Sequence, residues 1–313
     1  MALAPCFVSF ATIVVISSFI TSLLLPSAYP LDLNATILPI FDVDLLEFSL
    51  NLEYLEADFF LFGSFGQGLE RVAPNLTRGS PPPIGAQKAN LDSITNDMIL
   101  QFGYQEVGHI KAIMNVVRGF PRPELDLSAS TFAKVMDQAF DRPLQPPFNP
   151  YANNVSFLIA AYLIPYVGLT GYVDTIPKLF SITSKKLVSG LLGIESGQDA
   201  VIRALLYPLR LAKVPPYDID VDEFTRRISN LRNTLGRARS KDEGLTAPVN
   251  EGAEGRVQGN VLAGDQFSLA YNRTPEEVLR IVYGSGNESI PGGFFPKGAG
   301  GRIARSHLPN GYH

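Results

Sequence analysis

Three glutamates stand where a packed helix would be expected to carry leucine. Glu53 falls on the stripe made by Leu46, Leu50, Ala57 and Phe60. Glu106 lies among Ile99, Phe102, Ile110 and Ile113, and Glu195 among Val188, Leu191, Leu192 and Ile202. An unpaired carboxylate in an apolar interior is costly. These positions therefore call for a proton, a cation or a dense hydrogen-bond network. Glu106-Val-Gly-His109 adds an imidazole to the same helical turn, because residues three apart share a face. Two readings of His109 stand side by side: a core histidine satisfied by Glu106, or a metal ligand.

The elements that must position these groups follow from periodicity and from proline. A helix is predicted over about 41–62, ended by Gly63, Gly66 and Gly68, with a proline-rich loop at 81–83 beyond it. A second runs from about 91 to 117. A short helix over 130–140 sits in a long crossover. The third helix, about 153–178, is apolar nearly all round, as befits the middle of a bundle, with a kink expected at Pro165. The fourth spans about 184–209, with Leu187, Leu191, Ile194, Ile202 and Leu205 turned inward. Glu47 and Glu56 read as solvated helix positions. Beyond Pro215-Pro216 the sequence predicts an amphipathic helix over 220–235 and a mobile surface loop over 237–259. A well-capped helix follows from Thr274, and then a Gly-rich arm carrying Phe294 and Phe295.

The whole chain has 313 residues, 46% of them apolar and 18% charged, which is enough to bury a sizeable core. Its formal net charge of −4 argues against a nucleic-acid partner. Residues 1–28 read as a secretory signal peptide: an apolar run from Phe7 to Leu25, then small residues at Ser27 and Ala28. The third helix, broken by Pro165 and lacking flanking positive charge, is not expected to stay in a membrane after cleavage. The single cysteine, Cys6, falls inside the leader, so the mature chain has no disulfide. Glycosylation sequons stand at Asn34, Asn75, Asn154, Asn272 and Asn287. The glycine clusters at 284–286 and 298–301 lack the strand–turn–helix setting of a nucleotide site, and no Ser/His/Asp signature appears.

Several stretches together resemble a known family. They are Asn51-Leu-Glu53-Tyr-Leu-Glu56-Ala-Asp-Phe-Phe60, Gln105-Glu106-Val-Gly-His109, Tyr166-Val-Gly-Leu-Thr-Gly-Tyr172, Glu195-Ser-Gly-Gln198, and Thr274 to Gly284 with Pro291 to Pro296. They are similar to plant desiccation-related proteins with a ferritin-like domain. The resemblance implies an all-α architecture: a ferritin-like four-helix bundle over 29–212 with a long crossover, and a C-terminal extension over 213–313. It also implies a two-metal site with one Glu from each of two helices and Glu-x-x-His from the other two. Glu53, Glu106, His109 and Glu195 match that pattern. The third-helix glutamate, due at or beside Pro165 or Tyr166, is absent, and Gln198 stands where the fourth-helix histidine belongs. On that inventory two ions are not expected; one Mn, Fe or Zn ion, or none, is. The resulting expectation is a secreted, non-catalytic stress protein of the cell wall, or of another secretory compartment such as the vacuole. The alternative is a single-metal protein with a redox or storage role. The aromatic arm offers a route to a homo-oligomer.

Overall fold

The computed structural model describes residues 38–309 except Asp242. The leader, Cys6 and the sequon at Asn34 lie outside the described residues. Helix α1 (Ile40–Phe65) is buried along most of its length. It ends where Gly66 takes a left-handed φ of 79° and its N–H caps the carbonyls of Leu61 and Phe62. Helix α2 (Ser93–Met114) starts at Asp92, whose carboxylate accepts from the N–H groups of Ile94 and Thr95 at 2.9 and 2.8 Å. α1 and α2 pack so closely at Gly103 that an added Cβ would lie 3.1 Å from the backbone nitrogen of Leu61.

The crossover carries α3 (Ala129–Phe140). The predicted third helix is two: α4 (Asn154–Leu163) and α5 (Pro165–Thr175). The break falls at Pro165, which has no N–H to continue the ladder. The whole stretch Asn154–Lys178 is long and apolar enough to cross a membrane, yet 89% of its most apolar window is buried inside the protein. Helix α6 (Ile182–Leu206) completes the bundle. Ile194, expected inward on it, is 43% exposed. The inward stripe runs instead through Val188, Leu191, Glu195, Gln198 and Ile202.

The C-terminal extension is packed onto this bundle. It contains α7 (Val221–Gly236), α8 (Pro275–Val282) and α9 (Gly301–Ser306). Helix α8 opens with the predicted capping box between Thr274 and Glu277. The 237–259 segment, expected to be a loose surface loop, is pinned at its centre. The Arg203 guanidinium donates to the carbonyls of Glu243, Gly244 and Asn260 at 2.6–2.7 Å. Glu243 lies buried between Arg232 and Arg273. Phe294 and Phe295 are corrected likewise. Both are buried, and the Phe294 ring packs 5.1 Å from that of Phe132, so these rings are not an exposed docking element. Among the described residues the only extended pairings are isolated bridges.

Candidate metal centre

Helix α1 buries six acidic or amide side chains, and most have an evident structural partner. Asp42 accepts from the N–H groups of Phe180 and Ser181 at 2.9 and 2.8 Å. Asp44 pairs with Arg302, and Asp58 with Arg122 and the Leu69 N–H. Asn51 clamps both the N–H and the carbonyl of Gly300. Glu53 and Glu56 remain, and they turn toward the space enclosed by α1, α2, α5 and α6.

In that space Glu53, Glu106, His109 and Glu195 bring four ligand atoms within 4.8 Å of one another, all buried. His109 Nδ1 is 3.0 Å from Glu53 Oε2, 3.1 Å from Glu106 Oε2 and 3.3 Å from Glu195 Oε1. One ring N–H cannot serve three carboxylates at once. Three oxygens and a nitrogen gathered about one point are the arrangement that a cation satisfies better than a proton does. Gln198 joins the group: its Nε2 donates to Glu106 Oε1 at 2.5 Å and to Gln105 Oε1 at 3.0 Å.

Two residues that sequence reasoning left out belong here. Glu56, expected in solvent, is 1% exposed. Its companion Glu47 is half-buried and accepts the Gly119 N–H at 2.9 Å, away from the centre. Beside the cage α5 presents Gly168, two residues beyond Tyr166, near which the third-helix glutamate was expected. A Cβ built there would lie 3.0 Å from Glu56 Oε1 and 3.9 Å from Glu195 Oε2. A carboxylate from the first helix thus comes to lie beside Glu195, in the room that a glycine leaves open, although it is not one of the four whose ligand atoms converge within 4.8 Å. The spacing Glu53-x-x-Glu56 was the available signal, since residues three apart share a face. The second omission is Tyr172 on α5, whose hydroxyl donates to Glu53 Oε1.

The electrostatics follow from burial and crowding. Desolvation, with the charges of Glu195, Glu106 and Glu53, pushes the Glu56 carboxyl well above its ordinary range. Glu106 is raised for the same reasons, burial first and then the charges of Glu195 and Glu53. Glu195 is raised to about 7, again chiefly by burial, which its hydrogen bond with His109 only partly offsets. For Glu53 burial is opposed and outweighed by His109, so its carboxyl is held below the ordinary value. Burial opposes the charge on His109 as well, but the attraction of Glu53 and hydrogen bonding to the carboxylates of Glu106, Glu195 and Glu53 raise it strongly. The cage therefore favours an imidazolium–carboxylate pair, His109 with Glu53, and shifts the remaining glutamates toward their protonated forms. Glu195 shares a hydrogen bond with Glu56, while Gln198 Oε1 has no hydrogen-bond partner. A buried amide oxygen without a donor is an acceptor that a cation would satisfy.

Residues 41–208 match the model of the ferritin-like domain. The chain belongs to the ferritin-like family. Within it, this ferritin-like protein is 55% identical over 265 residues to the desiccation-related protein PCC13-62 of Craterostigma plantagineum, covering 85% of each chain. It is 52% identical over 284 residues to the ferritin-like catalase Nec2 of Nesocodon mauritianus, covering 90% of this chain and 91% of that one. No solved structure gives a significant match. Of the glycosylation candidates, Asn75 and Asn272 are exposed, and Asn287 is half-buried. Asn154 is tied to Asp92 at the junction of α2 and α4.

Proposed function

We propose that this protein is a ferritin-like metalloprotein that binds a redox-active transition metal in the carboxylate cage and disproportionates hydrogen peroxide to water and dioxygen. The observation that carries the reading is the donor set. Glu53, Glu106, His109 and Glu195 converge on one point, and Glu56 and the unpartnered oxygen of Gln198 border it. The expectation of a non-catalytic protein rested on a missing third-helix glutamate and a missing fourth-helix histidine; the buried carboxyl of Glu56 beside Glu195 answers the first of these. A bound manganese or iron ion would supply the change of oxidation state that peroxide disproportionation needs. The chain's own residues do the rest. The Tyr172 hydroxyl and His109 orient Glu53, Gln198 fixes Glu106, and the apolar walls from α1, α4 and α5 keep bulk water out. The relative named as a catalase supports this choice of substrate.

A second reading, a desiccation-associated protein without catalysis, is favoured by one observation. Gln198 in place of a histidine satisfies Glu106 by hydrogen bonding with no ion required. Secretion to the cell wall or another secretory compartment belongs to both readings, supported by the apolar leader and by exposed sequons at Asn75 and Asn272.

Metal analysis of protein purified without chelators, together with a peroxide-consumption assay, separates the two. Stoichiometric manganese or iron that is lost in Glu106→Ala and His109→Ala, with peroxide turnover lost in parallel, supports the metalloenzyme. Metal-free protein whose melting temperature ignores added Mn, Fe or Zn would leave the non-catalytic reading.

A further inference from the structure

A buried cage needs a route to solvent, and one cavity in the fold is lined by residues that touch the cage. The cavity is about 20 Å³, room for roughly one water molecule. Leu52 of α1, Gly168, Gly171 and Tyr172 of α5, and Arg273 and Val278 from the C-terminal extension line it. Its inner end lies at Gly168, whose absent side chain uncovers Glu56 Oε1 and Glu195 Oε2, and at Tyr172, hydrogen-bonded to Glu53. Its outer end lies at Gly171, which is partly exposed where Gly168 is buried. The two glycines sit three residues apart and therefore on one face of α5.

We propose that this cavity is the passage by which a water-sized neutral molecule, hydrogen peroxide in the first place, reaches the centre, with Gly168 and Gly171 setting its width. The proposal rests on the metal-centre reading above. Packing alone does not explain Gly171. A Cβ there would meet only Val278 Cγ2, at 3.7 Å, an ordinary contact. Glycine inside a helix is about 0.5–1 kcal/mol less stable than alanine, so this position forgoes stability that close packing does not demand. The wall also suits a neutral visitor. Arg273, the one charged residue among those lining the cavity, is paired with buried Glu243. The Ser49 hydroxyl is already given to the Leu45 carbonyl. The outer wall comes from α8, so the C-terminal extension has a part in the centre's chemistry although it supplies no ligand.

The test uses the full-length protein loaded with iron(II) and nitric oxide as a neutral diatomic probe, followed by stopped-flow absorbance. Gly171→Leu should slow nitric oxide association about tenfold, with the iron content and the final amount bound unchanged. Gly190→Leu, on the exposed face of α6 with no atom near an added Cβ, should leave the rate alone. If Gly171→Leu does not fold, Gly171→Ala, whose Cβ fits, should still slow entry about threefold. Association at the wild-type rate in either folded Gly171 variant, or equal slowing in Gly190→Leu, overturns the passage. A wild-type protein that takes up no iron overturns the centre itself, and the passage with it.

Discussion

Replacing Glu56 by glutamine separates a metal ligand from a structural carboxyl. In the metal-free protein, burial and the neighbouring charges shift Glu56 toward its protonated form. Glutamine is also neutral and has the same length. The exchange therefore alters at most a hydrogen bond, about 1 kcal/mol, or about 2 °C in the melting temperature of a domain this size. With metal bound the balance differs, because Glu56 must lose its proton and offer an anionic oxygen, which glutamine cannot do. Weakening the coordination sphere in this way should lower affinity about tenfold to a hundredfold, equivalent to about 1.4–2.8 kcal/mol. Calorimetric melting of the metal-free variant and chelator-competition titration with manganese(II) at pH 8 measure the two effects separately. Unchanged affinity would refute the argument. So would a metal-free melting temperature that falls by as much free energy as the binding loses.

The same protons make stability depend on pH in an unusual direction. The folded pKa of Glu195 is raised to about 7 from an ordinary 4.5, and Glu56 and Glu106 move the same way. Their contribution is fully present below pH 4.5 and lost as pH rises through 7. The melting temperature of metal-free protein should thus fall between about pH 5 and 8, while metal affinity rises over the same interval because binding releases these protons. A metal-free melting temperature that climbs steadily to pH 8 would contradict the protonated cage. Outside the centre, Glu243→Ala leaves Arg232 and Arg273 buried without their shared carboxylate. The cost expected in denaturant unfolding is about 3–5 kcal/mol, and a loss below about 1 kcal/mol would show the cluster to be hydrated instead.

Much of the bundle was legible because helix formation is local. The apolar stripes, the Asp92 and Thr274 caps and the break at Pro165 are written within a few residues of the structures they produce. Glu53, Glu106, His109 and Glu195 could be read as convergent because each interrupts an apolar stripe of its own helix. Glu56 escaped this logic because α1 is buried on nearly every side and has no solvent face for contrast. Glu243 escaped it too, since nothing in a charged, glycine-rich segment announces that two arginines from elsewhere will close over it.

Local periodicity and composition prescribe an all-helical protein, the order of its main helices, and four side chains able to share an ion. Tertiary structure alone decided that Gly168 would open a space, that Glu56 would fill it from another helix, and that the C-terminal segment would wall the approach. The reason is physical. Helical periodicity acts within one element, over a few residues, whereas the depth of a carboxylate and the gap left by a glycine depend on which second element packs against it.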